Sequence, residues 1–174
     1  MFKKQISILF VIILVFWGLG LNGYAQEKYY SKEKGFSVKL PKDWEKRENF
    51  MGLIIIALSP QEGSSDQFRE NVNVAVDELA DVMPLEKYFQ TSLDSMQKLL
   101  TDFQEHENGQ VIIDNKKANW ITYSHRVGVL RLKVLAYLLI SGKRGYVITC
   151  SATHEQFSKY NSRFQEIVQS FKLE

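Results

Sequence analysis

Two patterns of apolar residues stand out near the C-terminal end of the chain. Tyr146, Ile148, Cys150 and Ala152 are two residues apart, and side chains spaced in this way share one face of a β-strand. After Thr153 the apolar positions recur mostly at steps of three or four, as in an amphipathic helix. They are Phe157, Tyr160, Phe164, Ile167, Val168 and Phe171. Because such a stripe is unstable in water, we expect this helix to lie across a β-sheet.

The same patterns predict the elements that come earlier in the chain. Strands are predicted at Gln26–Ser31, Phe36–Leu40, Leu53–Leu58, Asn71–Leu79, Val111–Ile113, Ala118–Val127 and Leu130–Ile140. An apolar stripe from Leu85 to Phe103 follows Pro84 and predicts a helix of about five turns. Glu105–Gly109 is interpreted as a charged connector, and Pro60–Glu70 as a polar loop.

Short connections between successive strands limit the topology. Parallel crossovers need a dozen or more residues, so strands this close together must pair mainly antiparallel. The predicted fold class is therefore α+β, a mainly antiparallel β-sheet flanked by two long helices.

The first 25 residues have the organisation of a signal peptide. A basic start precedes the mostly apolar run Ile6–Leu19, and Gly23-Tyr24-Ala25 places small residues where signal peptidase reads them. We expect cleavage between Ala25 and Gln26, leaving a single domain, residues 26–174, that is periplasmic or secreted. The alternative is an uncleaved membrane anchor, although the run is shorter than the roughly 20 apolar residues that span a bilayer.

Charge and cysteine content narrow the classes of function. The chain has 22 basic and 20 acidic residues and a formal net charge of +2. Loss of the signal peptide removes Lys3 and Lys4 and no acidic residue, so basic and acidic residues are then equal in number and the net charge is about zero. Nucleic-acid binding is therefore not expected. Cys150 is the only cysteine. It cannot form an internal disulfide, and its place on a predicted strand favours a buried apolar role.

Candidate catalytic and metal-binding motifs have simpler structural interpretations. Gly142-Lys143-Arg144-Gly145 precedes a strand, whereas a phosphate-binding loop opens a helix. Glu105-His106-Glu107 lacks partners at metal-ligand spacing. His125 is interpreted as a half-buried strand residue and His154 as a surface residue of the first helical turn. The sequence thus predicts no catalytic residue, no metal ligand and no cofactor, and it leaves the binding residues unknown.

Three stretches carry a resemblance to a known family: Gly35–Trp44, Glu70–Val76 and Gly145–Phe171. They resemble the PsbP-like family, including its DcrB-type exported bacterial members, and the similarity spans nearly all of residues 26–174. The resemblance implies an antiparallel sheet flanked by helices, an architecture shared with a Ran-binding nuclear transport factor. The photosynthetic members of the family assist the oxygen-evolving side of photosystem II. No ion-retention motif is matched here, and the resemblance assigns no site residue to this chain.

These observations favour a non-enzymatic exported accessory or binding protein, with another envelope protein or complex as its partner. Loop Pro60–Glu70, connector Glu105–Gly109 and any open sheet edge are the expected recognition surfaces. The alternative is a small-molecule or metal-ion binding protein with a pocket between sheet and helix. A hydrolase with an unfamiliar site is the third hypothesis.

Overall fold

Within residues 25–174, which the computed structural model describes, ten β-strands and two α-helices follow one another. The strands are β1 (Gln26–Ser31), β2 (Phe36–Pro41), β3 (Glu45–Phe50), β4 (Leu53–Leu58), β5 (Asn71–Glu78), β6 (Thr101–Ile113), β7 (Lys116–Val127), β8 (Leu130–Ser141), β9 (Arg144–Thr153) and β10 (Lys172–Leu173). The helices are α1 (Leu85–Leu99) and α2 (Phe157–Gln169). The predicted signal peptide lies outside the described residues except for Ala25, which is exposed and precedes β1.

The strands form two antiparallel sheets. The larger has seven strands in the order β3-β4-β5-β9-β8-β7-β6, and the smaller has three in the order β1-β2-β10. Tight turns join the successive strands β6 to β9. At the turn between β6 and β7, Asp114 and Asn115 have φ angles of 47° and 60°, the left-handed conformation that two-residue hairpin turns require. The mainly antiparallel α+β fold predicted from the short connections is therefore confirmed.

The two faces of the large sheet carry different layers. On β8, Val134 and Leu138 point to the face covered by α1, where they join a cluster with Tyr88 and Leu93. Leu135 and Leu139 alternate with them and point to the opposite face, which α2 and the small sheet cover. The central part of β8 is thus apolar on both faces because it lies in the middle of three layers.

Helix α2 is the centre of the larger core. Phe164 and Ile167 are fully buried. Phe171, which lies just beyond the end of the helix, is also fully buried and stacks on Phe36 of the small sheet at a ring-centroid distance of 5.3 Å. Trp44, which is 2% exposed, packs against Phe164 with centroids 6.5 Å apart. The aromatic stripe predicted from the sequence is therefore held between the two sheets.

Three predicted elements need correction. Helix α1 ends at Leu99, and both helices are shorter than predicted, with 15 and 13 residues. Phe103 belongs to β6 but packs in the same cluster as α1, which explains why the apolar stripe continued beyond the helix. Glu105–Gly109 is part of β6 and not a connector. It is charged because β6 is an edge strand whose side chains are largely exposed.

β3 was not predicted. This edge strand reads Glu-Lys-Arg-Glu-Asn-Phe and is exposed at most positions. It therefore has no apolar alternation, and backbone pairing with the apolar strand β4 stabilises it.

Replacement of Phe164 by alanine tests the packing of α2. Because Phe164 is fully buried, we expect Phe164→Ala to lower the free energy of unfolding by about 3–5 kcal/mol, the usual cost of removing a buried aromatic ring. Chemical denaturation measures this loss. Glu166→Ala is the matched control, since Glu166 lies on the exposed face of the same helix. A loss below about 1 kcal/mol for Phe164→Ala would contradict the packing described.

Candidate functional site

A groove lies on the α2 side of the large sheet, between the helix and strands β6, β7 and β8. Helix α2 packs on β9 and β2, and the groove beside it has a volume of about 280 Å³. Its apolar lining consists of Trp120, Leu135, Tyr137 and Phe157, and its polar lining of His106, Glu107, Thr122, Lys133, Asn161 and Gln165. Apolar walls with a few convergent polar groups are typical of ligand sites.

Two aromatic residues form the apolar part of the groove. Trp120 on β7 pairs directly with Tyr137 on β8, so both side chains lie next to each other on one face. The indole of Trp120 lies against Gly109 on its other neighbour, β6. A Cβ atom at Gly109 would come within 3.0 Å of the Trp120 Nε1 atom. The absence of a side chain at Gly109 therefore sets the position of the indole.

An irregularity in β6 brings His106 into the groove. The pairing of β6 with β7 shifts between Glu105 and Glu107, as at a β-bulge, where one extra residue re-aims its neighbours. Consecutive strand residues ordinarily point to opposite faces, yet His106 and Glu107 both line the groove. Thr122 Oγ1 donates a hydrogen bond to the Glu107 carbonyl across the two strands, at 3.4 Å.

Lys133 supplies the positive charge of the groove. Its Nζ atom lies 4.9 Å from the centroid of the Phe157 ring, within the range of a cation–π interaction. Among residues 25–174, no carboxylate forms an ion pair with Lys133. The ammonium group is therefore held by an aromatic face and keeps its charge available to a ligand.

Burial and positive charge lower the pKa of His106 below its ordinary value of 6.5. Burial is the largest cause, and the charge of Lys133 is the next. Arg131 and His154 act in the same direction, whereas Glu107 raises the pKa. His106 is consequently neutral at pH 7, and its surroundings are electropositive.

Loop Pro60–Glu70, one of the expected recognition surfaces, is tied to the rest of the protein. Glu62 accepts a hydrogen bond from the Tyr160 hydroxyl at 2.7 Å and forms an ion pair with Lys159, both on α2. Asp66 accepts hydrogen bonds from two backbone amides of the loop. A cavity of about 370 Å³ lies beside the loop. The carboxylates of Glu62 and Asp66 line this cavity, but both are already engaged by the contacts within the protein just described.

The other residues considered from the sequence do not join the groove. His125 lies on β7 with its ring 5.9 Å from that of Tyr123, and burial lowers its pKa. His154 is exposed. Cys150 is fully buried, and burial raises the pKa of its thiol, so it is a packing residue. Gly142 lies in the turn between β8 and β9, which confirms the hairpin interpretation of the Gly-Lys-Arg-Gly motif.

His106 and Glu107 lie within Glu105–Gly109, a recognition surface expected from the sequence, but the groove residues of β7 and β8 were not singled out as a site. Lys133 and Tyr137 lie on the second face of β8, and the mixture of charge and apolar side chains on that face was the available signal. The position of Trp120 depends on its cross-strand neighbour Gly109, which the sequence alone does not pair with it. In the part of the chain described, no three His, Cys, Asp or Glu side chains are placed to hold a metal ion together.

The titration of His106 tests the electrostatics of the groove. We expect an NMR titration midpoint below 6.5 for His106, and a higher midpoint in Lys133→Met, because a neutral side chain no longer repels the imidazolium. Lys159→Met is the matched control, since Lys159 also lies over an aromatic ring but pairs with Glu62. A wild-type midpoint at or above 6.5, or one unchanged in Lys133→Met, would contradict this description.

Comparison with solved structures shows the same fold in distant proteins. The cyanobacterial PsbP protein CyanoP of Synechocystis sp. PCC 6803 is 14% identical, with a TM-score of 0.65 over 89% of this chain and 96% of its own. LpqN of Mycobacterium tuberculosis, which is involved in cell envelope biogenesis, is 12% identical, with a TM-score of 0.66 over 86% of this chain and 90% of its own. The Ran-binding protein Mog1p of Saccharomyces cerevisiae is 12% identical, with a TM-score of 0.57 over 86% of this chain and 96% of its own.

Neither helix found in residues 25–174 combines the length and apolar character needed to cross a membrane.

Sequence comparison identifies the family. No curated protein matches the chain. The family profile of PsbP-like proteins matches residues 22–173. Together with the shared fold and the three stretches noted in the sequence, this match shows that the chain belongs to the PsbP-like family.

Proposed function

We propose that this protein is a non-enzymatic exported accessory or binding protein of the cell envelope, and that it binds its ligand in the groove between α2 and strands β6–β8. The groove itself carries this proposal. In one concavity it combines an aromatic floor, a lysine that forms no ion pair within residues 25–174, and the side-chain amides of Asn161 and Gln165 on α2. These are the features of a recognition site built on a rigid sheet.

The chemistry of the groove supports binding over catalysis. A catalytic site needs a nucleophile or an acid–base group that a second side chain holds in place. His106 is the groove's candidate base, and no hydrogen bond between its ring and another side chain is found within residues 25–174. The hydroxyl of Thr122 is directed to a backbone carbonyl and not to a base.

Two observations support a role in the cell envelope. The N-terminal segment has the organisation of an export signal. LpqN, which shares the fold, is described as involved in cell envelope biogenesis. Because a shared fold alone does not fix function, the site and the export signal carry more weight than this neighbour.

The dimensions of the groove favour a small molecule as the second candidate partner. A volume of about 280 Å³ lies just below the range for drug-sized ligands, roughly 300–1,000 Å³, and so suits a small molecule. A protein partner could place a single side chain there. The two possibilities differ in the mass of what becomes attached to the groove.

The export prediction is tested by the intact mass of the native protein. We expect the chain to begin at Gln26, because signal peptidase cleaves after small residues such as Ala25. Ala25→Arg should block this cleavage and serves as the control. A native protein that retains residues 1–25 would instead be a membrane-anchored protein.

Site-specific photo-crosslinking tests the groove as the place of binding. A photoreactive residue at Asn161, which lines the groove, should form an adduct of discrete mass in the native envelope. The matched control is Ser162, the next residue of α2, which is exposed outside the groove. A second variant carries the photoreactive residue at Gln67, in loop Pro60–Glu70. An adduct formed from Gln67 but not from Asn161 would place recognition at this loop instead.

The non-enzymatic part of the proposal has its own test. Replacing His106, His125 and His154 together by glutamine should leave the Asn161 adduct largely intact, because the aromatic side chains and Lys133 of the groove remain. Catalytic turnover of a substrate by the purified protein that is lost in this triple variant would contradict the non-enzymatic hypothesis.

A further inference from the structure

We propose that the groove binds a small aromatic anion, with the ring on Trp120 and Tyr137 and a carboxylate or phosphate group at Lys133. This inference rests on the proposed function, because it names the class of ligand for the same groove. It follows from the positions of the aromatic and charged side chains along two neighbouring strands.

The aromatic part of the groove is arranged to receive a planar ring. Trp120 and Tyr137 are paired across β7 and β8, and both remain only partly buried. One side of the indole is occupied by the backbone of Gly109. An indole supported in this way offers its remaining surface to a ligand ring, and aromatic pairs gain stability beyond the area that they bury.

The charged part of the groove lies along the same face of β8. Lys133 is four residues from Tyr137, which places the two Cα atoms about 13 Å apart on an extended strand. Leu135 lies between them and lines the groove. A ligand that joins a ring to an acidic group through a short chain fits this spacing, since the lysine side chain covers part of the distance.

Local electrostatics favour an anion over a neutral or cationic ligand. Lys133 has no ion pair among the described residues, and Arg131 on the same strand face donates only to the amide oxygen of Gln104, at 3.2 Å. Glu107 is the one carboxylate among the described residues that line the groove, and it is exposed. The pKa of His106 is lowered first by burial and then by the charges of Lys133 and Arg131, which is consistent with positive charge on this side of the groove.

The α2 wall adds polar groups that could recognise a substituent on the ring. Asn161 and Gln165 are four residues apart, so they share one face of the helix and both line the groove. Each side-chain amide can donate and accept hydrogen bonds. A hydroxyl or keto group on the ring would therefore find partners on this wall.

A matched set of small molecules tests the two halves of this inference on the purified protein by NMR titration. 3-Phenylpropionate and phenyl phosphate carry both a ring and an anionic group and represent the carboxylate and phosphate sources. 3-Phenylpropanamide keeps the ring without charge, and hexanoate keeps the charge without a ring. We expect at least one aromatic acid to shift the Trp120 indole N–H signal and to bind about tenfold or more tightly than both of these controls.

Three variants locate the binding. Lys133→Met should weaken the aromatic acid about tenfold and leave the neutral amide unchanged, whereas Lys159→Met should alter neither. Gly109→Ala should weaken the binding of the aromatic acids and of the neutral amide alike, because the added Cβ displaces the indole without changing the charge of the groove. Unfolding midpoints near that of the wild type show that each variant is folded.

The outcomes separate this inference from the proposed function. If neither aromatic acid binds while Asn161 still forms its adduct in the envelope, the ligand class is wrong and the groove remains a binding site. Equal affinity for the acid and the neutral amide would overturn the role of Lys133. Loss of both the acid binding and the Asn161 adduct would overturn both proposals.

Discussion

Burial of the aromatic face of α2 is the constraint on which the rest of the structure depends. Phe164 and Ile167 of the helix and Phe171 just beyond its end have no exposed surface, and full burial of each such side chain is worth about 1.5–3 kcal/mol. A helix with this stripe needs apolar surface on more than one side, which a single sheet face does not supply. The small sheet completes the enclosure through residues such as Phe36.

The same constraint creates the groove. Helix α2 packs on β9 and on β2 of the small sheet. Its other side therefore leaves a concavity over β6–β8. Hairpins with tight turns hold these three strands in register, so the side chains of the groove lie on rigid elements. The β-bulge in β6 interrupts regular pairing with β7 and brings His106 into the concavity.

Local pattern predicted most of the fold and little of the site. The alternation in β2, β5 and β9 and the stripe of α2 follow directly from which faces are buried, so the sequence reports them. β3 and the polar half of β6 are edge strands, where exposure removes the alternation. The groove depends on pairing between residues far apart in sequence, as with Gly109 and Trp120, and on a bulge that no periodicity reveals.

Sequence divergence within this fold has a physical basis, because the buried core and the groove place different requirements on their residues. Proteins with 12–14% identity keep the architecture because a core tolerates many apolar exchanges that preserve volume and pattern. The groove is under no such requirement: Lys133 contributes a charge and His106 a neutral imidazole to a partly solvated surface, and their replacement would leave the burial of α2 intact. Recognition can therefore change between relatives while the enclosure of the helix is maintained, so the specificity of this protein has to be derived from its own groove residues.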